Sequence, residues 1–101
     1  MSNYLLHTPQ DIAQQVANKV KSLRIQQNWT QSTLSKRAGV SLGSLRRFEQ
    51  KGEISLHSLL LLVSALGRLD DFSAILTPLP ATSLDELEKQ HKRHIRKRGR
   101  I

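Results

Sequence analysis

The sequence predicts an all-α fold: five short helices on one core, followed by a C-terminal basic arm that is partly helical or disordered. Three observations carry that prediction. Apolar residues recur at helical spacing along the chain, and no stretch alternates convincingly at period two. Serine or threonine stands before the apolar runs and glycine after them, with short gaps between. The chain has 101 residues, enough for one domain with one modest core and at most a short appendage.

Thr8-Pro9-Gln10-Asp11 offers a cap, a first-turn proline and a first-turn acid. Behind it Ile12, Val16, Val20 and Leu23 repeat at helical spacing, so the first helix is expected over 10–27, with 1–9 as an N-terminal segment. Asn28 and Trp29 break it. Thr30 caps a second helix over 31–38, which Gly39 ends as a left-handed C-terminal residue. Only Val40 separates that glycine from the next cap, Ser41. The third helix then runs to residue 50, and Lys51-Gly52 closes it. Ser55 caps a fourth helix over 56–66 with Leu56, Leu59, Leu60, Val63 and Leu66 as its buried stripe, and Gly67 stops it. A fifth helix over 69–76 is expected to turn Leu69, Phe72, Ile75 and Leu76 inward. Pro78 and Pro80 forbid helical continuation, so 10–76 reads as the compact unit and 77–82 as a linker. In the arm, 83–101, Ser83-Leu84-Asp85-Glu86 is a capping box that starts a weak helix towards Ile95.

Charge is the strongest bulk signal, with 16 Lys and Arg against 8 Asp and Glu. Residues 1–68 hold nine cations and three anions, 69–88 hold five anions and no cation, and 89–101 hold seven cations and no anion. Clustered positive charge of this kind suits a polyanion, and nucleic acid is the usual one. The absence of cysteine excludes a disulfide framework, a thiolate zinc site and a cysteine nucleophile. The opening MSNYLLHTPQDIAQQ lacks the pattern of a signal peptide, and the run LHSLLLLVSALG at 56–67 is too short to span a bilayer. A cytoplasmic protein, nucleoid-associated when bound, is expected. His91 and His94 lie one helical turn apart, but seven cations surround them, so neither a metal nor a cofactor is expected.

The gap between the second and third helices is informative. Two helices joined by three or four residues containing glycine cross steeply, which is helix-turn-helix geometry. That packing needs a small residue at the approach, glycine at the turn and a branched apolar residue inside the second of the pair. Residues 31–50 supply Ser35, Gly39 and Leu45, with Leu34, Ala38, Val40 and Phe48 filling the core.

Here the chain closely resembles the lambda-repressor/Cro, or XRE-type, DNA-binding domain. The matching run is 30-TQSTLSKRAGVSLGSLRRFEQKG-52, preceded by 20-VKSLR-24, and the resemblance covers roughly 10–76. It includes Gln31 at the start of the second helix and Glu49 near the end of the third. Ser35 stands where alanine is usual and Leu45 where isoleucine or valine is; both departures bear on stability and not on architecture.

The resemblance implies that the first two residues after the cap and another a turn later face base edges. Those are Leu42, Gly43 and Arg47, with Ser44 and Arg46 flanking. Leu42 suits a thymine methyl, and Arg47 a bidentate contact to guanine O6 and N7 worth about 1–3 kcal/mol of discrimination. Gly43 either permits close approach or is simply tolerated in a short helix; Arg46 suits a phosphate or solvent. Phosphate contacts are expected from Gln31 at its helix start and from Arg24, with Lys36, Arg37 and Lys51 either longer-range anchors or merely solvated charges. Glu49 is expected to be structural, pairing with Arg24, and Trp29 to belong to the core.

The tail cations Lys92, Arg93, Arg96, Lys97, Arg98 and Arg100 would add sequence-independent phosphate contacts, dock on an acidic partner, or merely be solvated. The expected function is a sequence-specific transcriptional repressor, autoregulatory, binding a pseudo-palindromic double-stranded operator as a homodimer with half-sites one turn apart. Residues 69–76 or 1–9 are the candidate dimer interface. The body, linker and basic tail, with LDDF at 69–72, also resemble the HipB-like antitoxins, which partner HipA-like kinase toxins; 69–88 and the tail are the candidate toxin contacts. The alternative is a protein–protein adaptor or coactivator of the same fold, with weak non-specific nucleic-acid binding through the tail. An enzyme is not expected, because no glycine-rich phosphate loop, metal-ligand cluster or Ser/His/Asp set is present. RNA binding is disfavoured because Tyr4, Trp29, Phe48 and Phe72 are scattered over different elements.

Overall fold

The computed structural model describes residues 7–80 together with Glu88, Lys89 and His91. Five helices follow one another: α1 (Pro9–Gln26), α2 (Gln31–Ala38), α3 (Leu42–Lys51), α4 (Leu56–Ala65) and α5 (Asp70–Ser73). Among the described residues there is no strand. The first four start where capping chemistry dictates. Thr8 and Asp11 exchange side chain-to-backbone hydrogen bonds at 3.1 Å, the reciprocal capping box. The hydroxyls of Thr30, Ser41 and Ser55 accept from the N–H groups of Thr33, Ser44 and Ser58 at 3.0–3.1 Å. Each such cap stabilises its helix by about 1 kcal/mol over alanine.

Ala17, Val20, Leu34, Val40, Leu45, Phe48, Leu62, Val63 and Leu66 form the buried core. Around it α1 packs on α3, and α2 packs on both α3 and α4. Each expected stripe loses its first residue: Ile12 and Leu56 are exposed, while Val20, Val63 and Leu66 are buried and Val16, Leu23 and Leu59 pack against the core. Ala17 in α1 and Leu62 in α4 are fully buried beside them. No helix among the described residues is long and apolar enough to cross a membrane.

The fifth helix is a correction. It is one turn long, not the expected eight residues, and only Phe72 packs against the core; Leu69, Ile75 and Leu76 are exposed. Its start has no side-chain cap, and Ser73 Oγ donates to the Asp70 carbonyl while Thr77 Oγ1 donates to that of Ala74. Local side-chain bonds of this kind offer the backbone an alternative to the helical ladder. Residues 77–80 follow without helix.

Candidate nucleic-acid interface

The turn between α2 and α3 is held by one residue. Gly39 lies at φ 73° and ends α2, and the N–H groups of Gly39 and Val40 both donate to the Ser35 carbonyl, at 2.9 and 3.1 Å. Ser35 is buried, and its hydroxyl donates in return to the Val40 carbonyl. The hydroxyl that replaces the usual methyl is therefore satisfied, and it closes the turn it sits beneath. A buried polar group costs free energy only when it lacks such a partner.

Beyond the turn, Ser41 caps α3, and Leu45 and Phe48 drive into the core. That phase leaves Gly43, Ser44, Arg46 and Arg47 on the outer face, all exposed. Leu42, expected to face base edges, is half-buried. A Cβ added at Gly43 would meet no atom of the described residues within 4 Å, so packing among them does not require glycine there. The Ser44 hydroxyl accepts from the Ser41 hydroxyl at 2.8 Å.

Glu49 lies under the end of α3 and joins three elements. Arg24 of α1 donates from Nε to Oε2 at 2.9 Å and from Nη2 to Oε1 at 3.1 Å, and its Nη1 donates to the Trp29 carbonyl at 2.8 Å. Gln31 Nε2 donates to Glu49 Oε1 at 2.9 Å. The expected Arg24–Glu49 pair is present, but it changes the picture of Arg24 as a phosphate contact. Arg24 is buried and its guanidinium is committed to the framework. Gln31 likewise turns its side-chain amide inward, onto Glu49. At the same C-terminal end of α3, Gln10 Nε2 donates to the Lys51 carbonyl at 2.8 Å and Gln14 Nε2 to that of Glu49 at 3.4 Å.

The remaining expected anchors are exposed. Lys36, Arg46 and Lys51 face solvent, and the Arg37 guanidinium lies over the Trp29 ring, 4.6 Å from its centroid. That cation–π contact fixes Arg37, and half-buried Trp29 packs against the core as expected. Arg47 has a partner that sequence reasoning missed. Its Nε and Nη2 lie 2.8 and 2.6 Å from Glu53 Oε1. The only sequence signal was an acid one residue past the helix-ending glycine. The tail cations Lys92, Arg93, Arg96, Lys97, Arg98 and Arg100, and the 1–6 part of the candidate dimer interface, lie outside the described residues. Among the described residues no group of three or more His, Cys, Asp or Glu could hold a metal ion.

With this geometry in place, the model of the helix-turn-helix family matches residues 20–72, more than half of the chain. The chain belongs to that family, the XRE-type helix-turn-helix proteins, which are DNA-binding transcription regulators. No curated protein and no solved structure matches it.

Proposed function

We propose that the protein is a sequence-specific transcriptional repressor that reads an operator through the outer face of α3 and represses its own operon. One observation carries the reading. α3 is fastened from beneath by Leu45, Phe48 and Glu49, while Gly43, Ser44, Arg46 and Arg47 face outward together. A helix so mounted suits a major groove, where an arginine fork matches guanine O6 and N7. Leu42 contributes a partial apolar edge for a thymine methyl. Lys36, Arg37 and Lys51 hold phosphates, as do the N–H groups at the start of α2; Arg24 supports them from inside and touches none. The tail cations from Lys92 to Arg100 add salt-dependent affinity without sequence preference. No catalytic role, metal or cofactor belongs to this reading.

A single α3 spans too few base pairs for a unique address, so the protein acts as a homodimer on two half-sites. Exposed Leu69, Ile75 and Leu76, beside an apolar groove that includes Val16, Val20, Leu23 and Phe72, support 69–76 as the interface. An antitoxin role, with a HipA-like kinase as partner, rests on the resemblance of the 69–72 segment and the basic tail. Selection from a random-sequence duplex library tests the proposal. The expected product is a pseudo-palindrome whose half-sites carry a guanine and lie one helical turn apart. A pool that stays random after selection contradicts it and favours the adaptor reading.

A further inference from the structure

We propose that Glu53 is the positioning residue for base reading by Arg47, an inference that rests on the α3 reading above. A guanidinium offers two hydrogen-bonding edges, one formed by Nε and a terminal nitrogen and one by the two terminal nitrogens. Glu53 Oε1 takes the first, at 2.8 Å from Nε and 2.6 Å from Nη2. The second edge, with its two parallel N–H groups, is left for an outside acceptor, and it is the edge that fits guanine O6 and N7.

The carboxylate is itself held on fixed backbone. Gly52, at φ 72°, turns the chain back at the end of α3, so that residue 53 returns beside residue 47. On its other side Ile54 packs against the core and Ser55 caps α4. The pair is solvated, with the Arg47 and Glu53 side chains 61% and 50% exposed. Ion pairs in such settings add little to folding stability. What the pair supplies is order: a free arginine samples many rotamers, and freezing it on a base edge costs affinity that a pre-aimed one retains.

A plain charge effect has the opposite signature. If Glu53 only repels phosphates, its neutralisation strengthens binding to every duplex alike and leaves discrimination unchanged. If it aims Arg47, discrimination falls.

The test uses the full chain as wild type, Glu53→Gln, Glu53→Asp, Arg47→Ala and the Arg47→Ala/Glu53→Gln double variant. Each is titrated against the library-selected duplex and against the same duplex with its selected guanines replaced, and the affinity ratio is read. Unfolding midpoints confirm that the variants fold. The expected result is a fall of about two- to fivefold in the ratio for Glu53→Gln, the range of an exposed ion pair. Glu53→Asp, which keeps the charge and shortens the reach, lowers it as well, and Glu53→Gln has no further effect once Arg47 is alanine. A ratio lowered by Arg47→Ala but untouched by both Glu53 variants overturns the inference and leaves the α3 reading standing. An equal loss on both Arg47 backgrounds also overturns it. A ratio that Arg47→Ala does not change removes the α3 reading and this inference together.

Discussion

An acid on a helix meant for a polyanion needs a reason to be there, and Glu49 has two: Arg24 on one side and Gln31 on the other. Both ends of the Arg24–Glu49 pair are buried, so removing one partner leaves the other charged and dry. Breaking a pair of that kind typically costs about 3–5 kcal/mol. Glu49→Ala is therefore expected to lower the unfolding midpoint of the protein by well over 10 °C, roughly 4–8 °C per kcal/mol for a domain of this size. A midpoint within a few degrees of wild type would mean that water reaches Arg24 and the buried pair is not what fastens α3. Gly43 raises the converse question. No atom of the described residues fills the space a Cβ would take, yet glycine costs up to about 1 kcal/mol against alanine within a helix. Gly43→Ala should thus stabilise the free protein in urea titrations while weakening its hold on selected DNA. A gain in both would show that close approach of α3 to the groove is not the reason for glycine.

Among the elements, α3 is the one whose placement matters most, and α1 sets it from below through Gln10 and Gln14. The seam closes at Gly52, which sits in the left-handed region at φ 72°. A Cβ there would come within 3.0 Å of the backbone of Ala13 and Gln14. Gly39 shares the backbone angle but has open space. An alanine at either position carries the left-handed penalty of about 1–2 kcal/mol, and only at Gly52 must α1 also move. Gly52→Ala should consequently cost more than Gly39→Ala in denaturant melts; equal costs would show that the α1–α3 seam yields freely. The first four elements were legible in the sequence because Thr8, Thr30, Ser41 and Ser55 mark their starts and glycines mark three of their ends. The stripe of α4 was legible in part: Val63 and Leu66 are buried as expected, but 59-LLLLV-63 is apolar at every position, so the burial of Leu62 is decided by packing alone. The extent of α5 was illegible because local bonds from Ser73 and Thr77 compete with a helix that has no cap. At the site, the outward set from Gly43 to Arg47 follows from helical spacing, and the Arg24–Glu49 pair from charge signs. The Arg47–Glu53 pair depends on the turn at Gly52 and the Arg37–Trp29 contact on the bend after α1, neither of which spacing reveals.

For the whole molecule, some cations are paired with acids and others are left exposed. Arg24 is consumed by Glu49, Arg47 is held by Glu53, and Arg68 pairs with Asp71 at 2.8 Å on the surface. Lys36, Arg37, Arg46 and Lys51 remain exposed, and seven more cations follow in 89–101. A net charge of +8 attracts any nucleic acid, so affinity alone does not identify a reader of sequence. Discrimination does. The most direct test is a titration of wild type and Arg47→Ala against fluorescent library-selected duplex and a scrambled duplex of the same composition, at near-physiological salt. Reading through α3 predicts a gap of at least ~10³ between the two duplexes for wild type. Arg47→Ala should close about tenfold of it, within the range of one lost bidentate base contact. Equal binding of both duplexes by the wild-type protein contradicts the account, because it leaves α3 with no bases to read and the charge with all of the binding.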